Sequence, residues 1–524
     1  MDEEFSVDDP TQLLHSASEF AHHPGVQNDA TTKDFLDRFP LPVIISALQT
    51  KADVPGLANT LVDCLERVFK TKYGGSLIPQ YMPFLQVGLK ADSQMVRCLA
   101  CKTVSSFLEN FDDKSISAIQ LIIDYDLYPL LLDCLIYGNE QVATAAIDAI
   151  KNLAQFPEGM GIIFPANINE VTHLGNLASR CSSLGRVRIL SLIVKLFSIS
   201  GSVASVIYNS NLLSLLETEI RNSNDTLVTL SALELLYELT EIRHGTEFLS
   251  RTTLQLLHSI ISNSSMEGIL RSRAMMISGR LLSKENIYMF ADELRAKGVI
   301  SAIDVRLGLL DSQDTDECES ALEALGQIGS SIQGAVLLLS SFPPAARHIV
   351  HAAFDWQGRG KQLAALHALG NVAGENRPED SVILSSDAEE SLRRLIYEAA
   401  SESSKLTPSG LFLSVLQQAA EFRLAGYRVI TGLVARTWCL MEICSKQEII
   451  NMVTDPATET TKIGMEARYK CCKAIHRAFM PSKLVSDPAL SGIAGKLQEA
   501  VQRGPYLTRK HTEAAPVVMT AERF

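Results

Sequence analysis

Residues 127–154 read as two helices that cannot bury themselves without neighbours. Leu127, Leu130, Leu131, Cys134 and Leu135 fall at i, i+3, i+4, i+7 and i+8, one apolar stripe of a 3.6-residue period. Pro129 sits in the first turn, where its missing N–H costs nothing. Gly138 and Asn139 divide the pair, the glycine being suited to a left-handed turn and the asparagine to a cap. Val142, Ala145, Ala146, Ala149, Ile150 and Leu153 then repeat the spacing. Two such stripes need partners above and below.

Those partners recur at a nearly constant interval. With Ala146 as the marker, the apolar pattern returns at Ala58, Ala100, Leu190, Ala232, Ala274, Ala321 and Ala365, and more weakly at Ala425 and Ala467. Successive markers lie 42, 46, 44, 42, 42, 47, 44, 60 and 42 residues apart. A period of about 40–47 residues, with two or three helices in each, is the pattern of HEAT and armadillo repeats. The expected fold is all-α: a HEAT/armadillo-type α-solenoid of about ten helical repeats, wound into a curved superhelix. At 524 residues the chain is too long for a single core and of natural length for such a stack.

The solenoid is expected over residues 34–503. Residues 1–33 are polar and read as a mobile leader with one short helix at Thr11–Ala21, and residues 504–524 as a frayed tail. Gly74-Gly75 reads as a turn after the first marker helix. Polar turns are expected at Asn222–Asp225, Ser262–Ser265 and Asp311–Asp314, where Asn, Asp and Ser bond the backbone and cap the next helix. The 60-residue interval marks an elaborated repeat at about 374–420, with Ala388–Ala400 as an inserted helix.

Composition narrows the function. The net charge of −13 and the lack of a basic stripe argue against nucleic acid and leave room for a basic protein partner. No run approaches the roughly 18 apolar residues of a membrane span, and the acidic N-terminus shows no secretory signal. Ten cysteines without a regular framework suit a reducing compartment, so the expected location is the cytoplasm, with the nucleus also open to it.

Candidate chemistry is sparse. Cys98-Leu99-Ala100-Cys101 lies inside an apolar repeat helix with no strand before it, and reads as buried thiols rather than a redox pair. His348 and His351 share a helix face without a further ligand and read as surface residues. Gly358-Arg359-Gly360-Lys361 lacks the spacing of a phosphate loop and reads as the turn before a helix. No catalytic set, metal site or cofactor is expected.

Polar residues two, five and six positions after the markers point off the apolar stripe. They are Asp148, Lys151, Asn152, Lys195, Glu234, Tyr237, Glu238, Glu323, Gln327, His367 and Asn371. If the marker helices line a concave side, these form a ladder facing a protein partner; for any one of them a solvated polar face is the plainer reading. Armadillo proteins that grip extended peptides use an asparagine here beside a tryptophan ladder. Only Asn152 and Asn371 occur, with only Trp356 and Trp438, so an adaptor for linear peptides is the second reading.

Several stretches, in collinear order, resemble the proteasome non-ATPase subunit 5 family of HEAT/armadillo chaperones. They include Gly88–Asn110, Arg243–Leu249, Gly329–Gly334, Phe422–Trp438, Ala467–Lys470 and Gly504–Tyr506. The resemblance implies a scaffold without catalysis, monomeric by itself. It would bind the C-terminal domain of a proteasomal AAA-ATPase subunit, hold an assembly intermediate of the regulatory-particle base, and leave before the mature 26S particle forms. No compact motif carries binding residues over.

Overall fold

The structure, a computed structural model, describes residues 10–25, 27–50, 54–110, 116–167, 173–222, 225–249, 253–290, 292–310, 315–490 and 492–506. The expected turn at 311–314, the middle of that at 222–225, the first nine residues and the tail beyond 506 lie outside them. The described residues form helices and no strand. The chain is an α-solenoid of the HEAT/armadillo type, and it packs as two compact units, Met1–Phe248 and Leu249–Phe524.

The marker helices form a row in each unit. In the first they are α1 (Leu57–Lys70), α2 (Gln94–Glu109), α3 (Glu140–Leu153), α4 (Ser183–Phe197) and α5 (Thr226–Glu241). In the second they are α6 (Gly268–Leu282), α7 (Asp316–Ile328), α8 (Arg359–Ala373), α9 (Ala420–Leu433) and α10 (Lys462–Phe479). Each packs against the next in its own unit, and two further helices complete most repeats. Helix Pro10–His22 packs on α1 and helix Ile493–Arg503 on α10, covering the outer ends of the rows.

Local chemistry sets these helices. The Asn139 side chain accepts from the Val142 N–H at 2.9 Å and caps α3. Thr315 caps α7 by accepting from Cys318 at 3.3 Å, and Thr461 caps α10 by accepting from Gly464 at 3.1 Å. Asn263 accepts from the Ser265 N–H at 3.0 Å in the expected turn. Burial of the apolar stripes then holds the stack, each Leu, Ile, Val or Phe contributing about 1.5–3 kcal/mol. The markers Ala100, Ala146, Leu190, Ala232, Ala274, Ala321, Ala365 and Ala425 are buried. Ala58 and Ala467 are only half-buried.

Four readings change. Gly138 is extended at φ −68° rather than left-handed, and its need is space: a Cβ would lie 2.4 Å from the Cys134 carbonyl oxygen and 2.5 Å from Val142. Gly74 and Gly75 lie in helix Lys72–Leu77, where a Cβ on Gly74 would meet the Val68 carbonyl oxygen at 2.0 Å. Gly74 and Gly138 mark close backbone approach rather than positive φ. The supposed inserted helix is Ser386–Glu402; it packs on helix Ile332–Ser340 and takes the place of a repeat's first short helix, so the extra length is shared between this longer helix, 17 residues against 9, and the loop before it. The short helix expected at Thr11–Ala21 is present as Pro10–His22, but Leu13, Ala17, Phe20 and Ala21 are buried rather than part of a mobile leader, and the boundary read at residue 34 falls inside helix Asp29–Arg38.

The division near residue 248 had no mark in the period, since the markers on either side, Ala232 and Ala274, are 42 residues apart.

Candidate protein-binding face

The eleven polar positions lie on marker helices, and many of them are tied to the next helix. On α3, Asp148 is exposed and Lys151 half-buried. Asn152 spends its amide on α2, donating to Ser105 Oγ and Glu109 Oε1, both at 2.7 Å. Lys195 of α4 is ion-paired with Glu238 of α5; Glu234 is exposed and Tyr237 half-buried on the same helix. On α7, Gln327 donates to Glu323 at 3.2 Å, one turn away, and Glu323 is exposed.

His367 and Asn371 of α8 meet at a single arginine. Arg428 of α9 donates to His367 Nδ1 at 2.7 Å, to Asn371 Oδ1 at 3.1 Å and to Glu375 Oε2 at 3.1 Å. Lys470 of α10 pairs with the other oxygen of Glu375. Because a guanidinium only donates, His367 Nδ1 must carry a lone pair, which leaves the neutral tautomer with its proton on Nε2. Burial and the neighbouring Arg428 hold the His367 pKa below its ordinary value. Both asparagines that could grip a peptide backbone are therefore engaged within the protein.

The residues that knit the repeats together escaped the sequence reading. Arg186, Arg271 and Arg423 occupy the fourth position of α4, α6 and α9. Each turns Nη1 back to the carbonyl five residues earlier, at Cys181, Met266 and Gln418. Each also binds a carboxylate from later in the chain: Glu219 at 3.1 Å, Glu317 at 2.7 Å, and Glu459. Arg97, fourth in α2, likewise reaches the Leu89 carbonyl at 3.1 Å. The signal existed, an arginine one turn into a marker helix. Counting from the alanines blurred it, because the arginine stands two to four residues before the marker.

Glu317 accepts from Arg271 at 2.7 and 3.0 Å and from Arg306 at 2.5 and 3.2 Å. Burial alone would raise its pKa, but the hydrogen bonds from the two arginines outweigh it and hold the carboxyl below the ordinary range.

The Cys-x-x-Cys residues part company. Cys98 is half-buried with Sγ 3.8 Å from the Gln141 carbonyl, whereas Cys101 is buried and hydrogen-bonds Cys134. That bond and burial push the Cys101 thiol up, away from reactive thiolate. His348 is not a surface residue: it is buried, with Nε2 3.3 Å from Asp304. Gly358 is the N-cap of α8, but Arg359, Gly360 and Lys361 form the first turn of that helix rather than a turn before it. Among the described residues no single helix is long and apolar enough to cross a membrane.

Fold and face together define a helical-repeat protein whose polar edges are largely spent on its own cohesion. Residues 49–282 match the family described as "Proteasome non-ATPase 26S subunit". The chain is 20% identical over 468 residues to the 26S proteasome non-ATPase regulatory subunit 5 of Homo sapiens, covering 86% of this chain and 85% of that protein. Against the Mus musculus protein of the same name it is 21% identical over 470 residues, covering 88% and 86%. Among solved structures, an engineered protein covers 81% of this chain with 99% of its own, at 15% identity and a TM-score of 0.43.

Proposed function

We propose that this protein is a non-catalytic chaperone for assembly of the 26S proteasome regulatory-particle base. On this reading it binds the C-terminal domain of a proteasomal AAA-ATPase subunit and leaves before the mature particle forms. The observation that carries the reading is likeness over more than four-fifths of both chains to proteins named as a non-ATPase regulatory subunit. Stacked repeats suit the role, because they expose a long surface without a central pocket. Asp148 and Glu234 in the first unit, and Glu323 in the second, are exposed and acidic, which suits a basic partner surface. The protein would act as a monomer in the cytoplasm and nucleus.

Affinity capture from cell lysate tests this. Regulatory-particle ATPases should be enriched without the 20S core, and the doubly charge-reversed D148R/E234R protein should retain them less well. Capture of complete 26S particles, or of no proteasomal ATPase, would overturn the reading.

A further inference from the structure

The second unit holds a cleft of about 650 Å³ between α10, the end of α9 and the loop that follows α8. Its size falls within the range of peptide and small-ligand sites. Lys470, Lys473 and Arg477 line one wall, spaced so that all three stand on one face of α10. Across the cleft, Glu375 pairs with Lys470 and Glu379 with Arg477. Lys473 stands between these two pairs, exposed, and meets no carboxylate among the described residues.

Arg377 supplies a second cation without a countercharge in direct contact. Its hydrogen bonds go to backbone carbonyls, those of Gly329 at 2.5 Å, Val372 at 3.0 Å, Ser330 at 3.2 Å and Asn371 at 3.3 Å. The Nη1 atom is buried without a hydrogen-bond partner. Burial lowers the Arg377 pKa to about 10, which leaves it charged at neutral pH. The lining therefore has four cations against two carboxylates, in a chain whose net charge is −13. Val382, Ala435, Ala474, Ala478 and Pro481 provide apolar surface between the charges.

We propose that this cleft is a binding site for a short acidic peptide carrying apolar residues between its carboxylates. One carboxylate would pair with Lys473 and another take the place of Glu379 on Arg477, with an apolar side chain against Ala474, Ala478 and Pro481. The Arg477–Glu379 pair at the mouth is exposed on both sides, so a ligand carboxylate can replace Glu379 at little cost. A nucleic-acid strand fits less well, because Glu375 and Glu379 would face its phosphates and the apolar strip would go unused. This inference stands apart from the assembly role and does not depend on it.

The probe is a fluorescein-labelled peptide, Glu-Leu-Glu-Asp-Leu-Glu, titrated with the full-length protein and followed by anisotropy. Saturable binding is expected, weakened about tenfold or more by Lys473→Glu and changed less than about twofold by Lys473→Arg. Replacing both leucines by serine should weaken binding several-fold. No saturation by about 1 mM protein, or unchanged binding to K473E, overturns the site. Hydrogen exchange on the wild-type complex gives an independent reading should K473E misfold: protection at residues 374–382 supports the cleft, and protection elsewhere refutes it. Loss of peptide binding by a K473E protein that still captures proteasomal ATPases would leave the assembly reading intact.

Discussion

The marker helices of the two units follow the same period but meet their neighbours differently. In the second unit, glycine backs onto the next helix. A Cβ on Gly279 of α6 would lie 2.8 Å from Ala324 Cα of α7, and one on Gly326 of α7 would lie 2.6 Å from Ala368 Cα of α8. Gly432 of α9 approaches Ala373 of α8 in the same way, with 2.8 Å to its Cβ. In the first unit the only marker-helix glycine is Gly185, in the first turn of α4, and alanines such as Ala100 and Ala146 take the buried small positions. Each interior glycine costs the helix about 1 kcal/mol against alanine. The return is an approach close enough for edge charges to reach several partners. Glu375 holds Arg428 and Lys470, Glu317 holds Arg271 and Arg306, and Glu459 holds Arg423 and Tyr427. First-unit ties are mostly single pairs, as in Arg186–Glu219 and Lys195–Glu238, although Glu66 of α1 holds both Lys70 and Lys102. The cavities differ too: against the basic cleft of the second unit, the first has an apolar one of about 510 Å³ walled by Leu48, Phe69, Phe84 and Leu99.

The largest effect should come from cutting a knot in the second unit. Arg436 is buried and binds both oxygens of Glu389, at 2.6 and 2.9 Å. It also binds the carbonyls of Gly432 at 2.9 Å, Ala373 at 3.0 Å and Val382 at 3.3 Å. Arg436→Ala leaves a carboxylate and three acceptors without their donor, and should destabilise the second unit by about 3–5 kcal/mol. Two units need not unfold together, so native-state hydrogen exchange read along α8 and α9 is the suitable measurement. A loss below about 1 kcal/mol there would mean that the network adds little to cohesion.

The small-residue contrast gives a matched pair of substitutions with opposite chemistry. Gly326→Ala gains helix propensity but forces a methyl against Ala368, with a net cost of about 1–3 kcal/mol. Ala146→Gly, at a fully buried position of α3, loses propensity and a methyl, at about 1–2 kcal/mol. If G326A were neutral or stabilising in hydrogen exchange at α7, the close-approach account of the second unit would be wrong.

The residues involved show what the sequence could and could not convey. The helices were legible because each stripe is written locally at i, i+3, i+4 and i+7: Leu127–Tyr137 and Glu140–Leu153 lie where the pattern put them. Gly74 and Gly138 misled because turn chemistry and close approach ask for the same residue, and only the neighbouring backbone separates them. On the polar face, spacing placed Asn152, Lys195 and His367 off the apolar stripe. Whether such a residue meets solvent or the next helix depends on a neighbour 33 to 61 residues away, such as Glu219 for Arg186 or Arg428 for His367. Nothing local encodes that choice.

Acid should distinguish the second unit's knots by where each loses stability. The Glu317 pKa is lowered in the folded chain, so between the folded and unfolded values the unfolded state binds more protons. Its contribution is present above the ordinary glutamate range near about 4.3 and is lost as pH falls through the lowered folded value. Glu317→Gln should be less stable at neutral pH and show a flatter decline below it; an unchanged acid limb would remove Glu317 from the account. His367 acts in a higher window. Its folded pKa is also lowered, so the unfolded state again takes up the proton first. Its contribution is complete above about 6.5 and declines as pH falls below that value, where protonation would break the bond from Arg428. His367→Gln keeps an acceptor for Arg428 and removes the titration, so α8 protection should lose its slope between neutral and mildly acid pH.

The smallest effect belongs to the first unit. Asn152 joins α3 to α2 through two hydrogen bonds of 2.7 Å, but it is only half-buried, and Ser105 and Glu109 can turn to water when it is removed. Asn152→Ala should therefore cost about 0.5–1.5 kcal/mol in hydrogen exchange at α2 and α3, well below Arg436→Ala. A loss as large as that of the buried arginine would mean that single rungs hold the first unit as firmly as shared carboxylates hold the second. The difference between the units would then lie only in how closely their helices approach, and not in how their charges are shared.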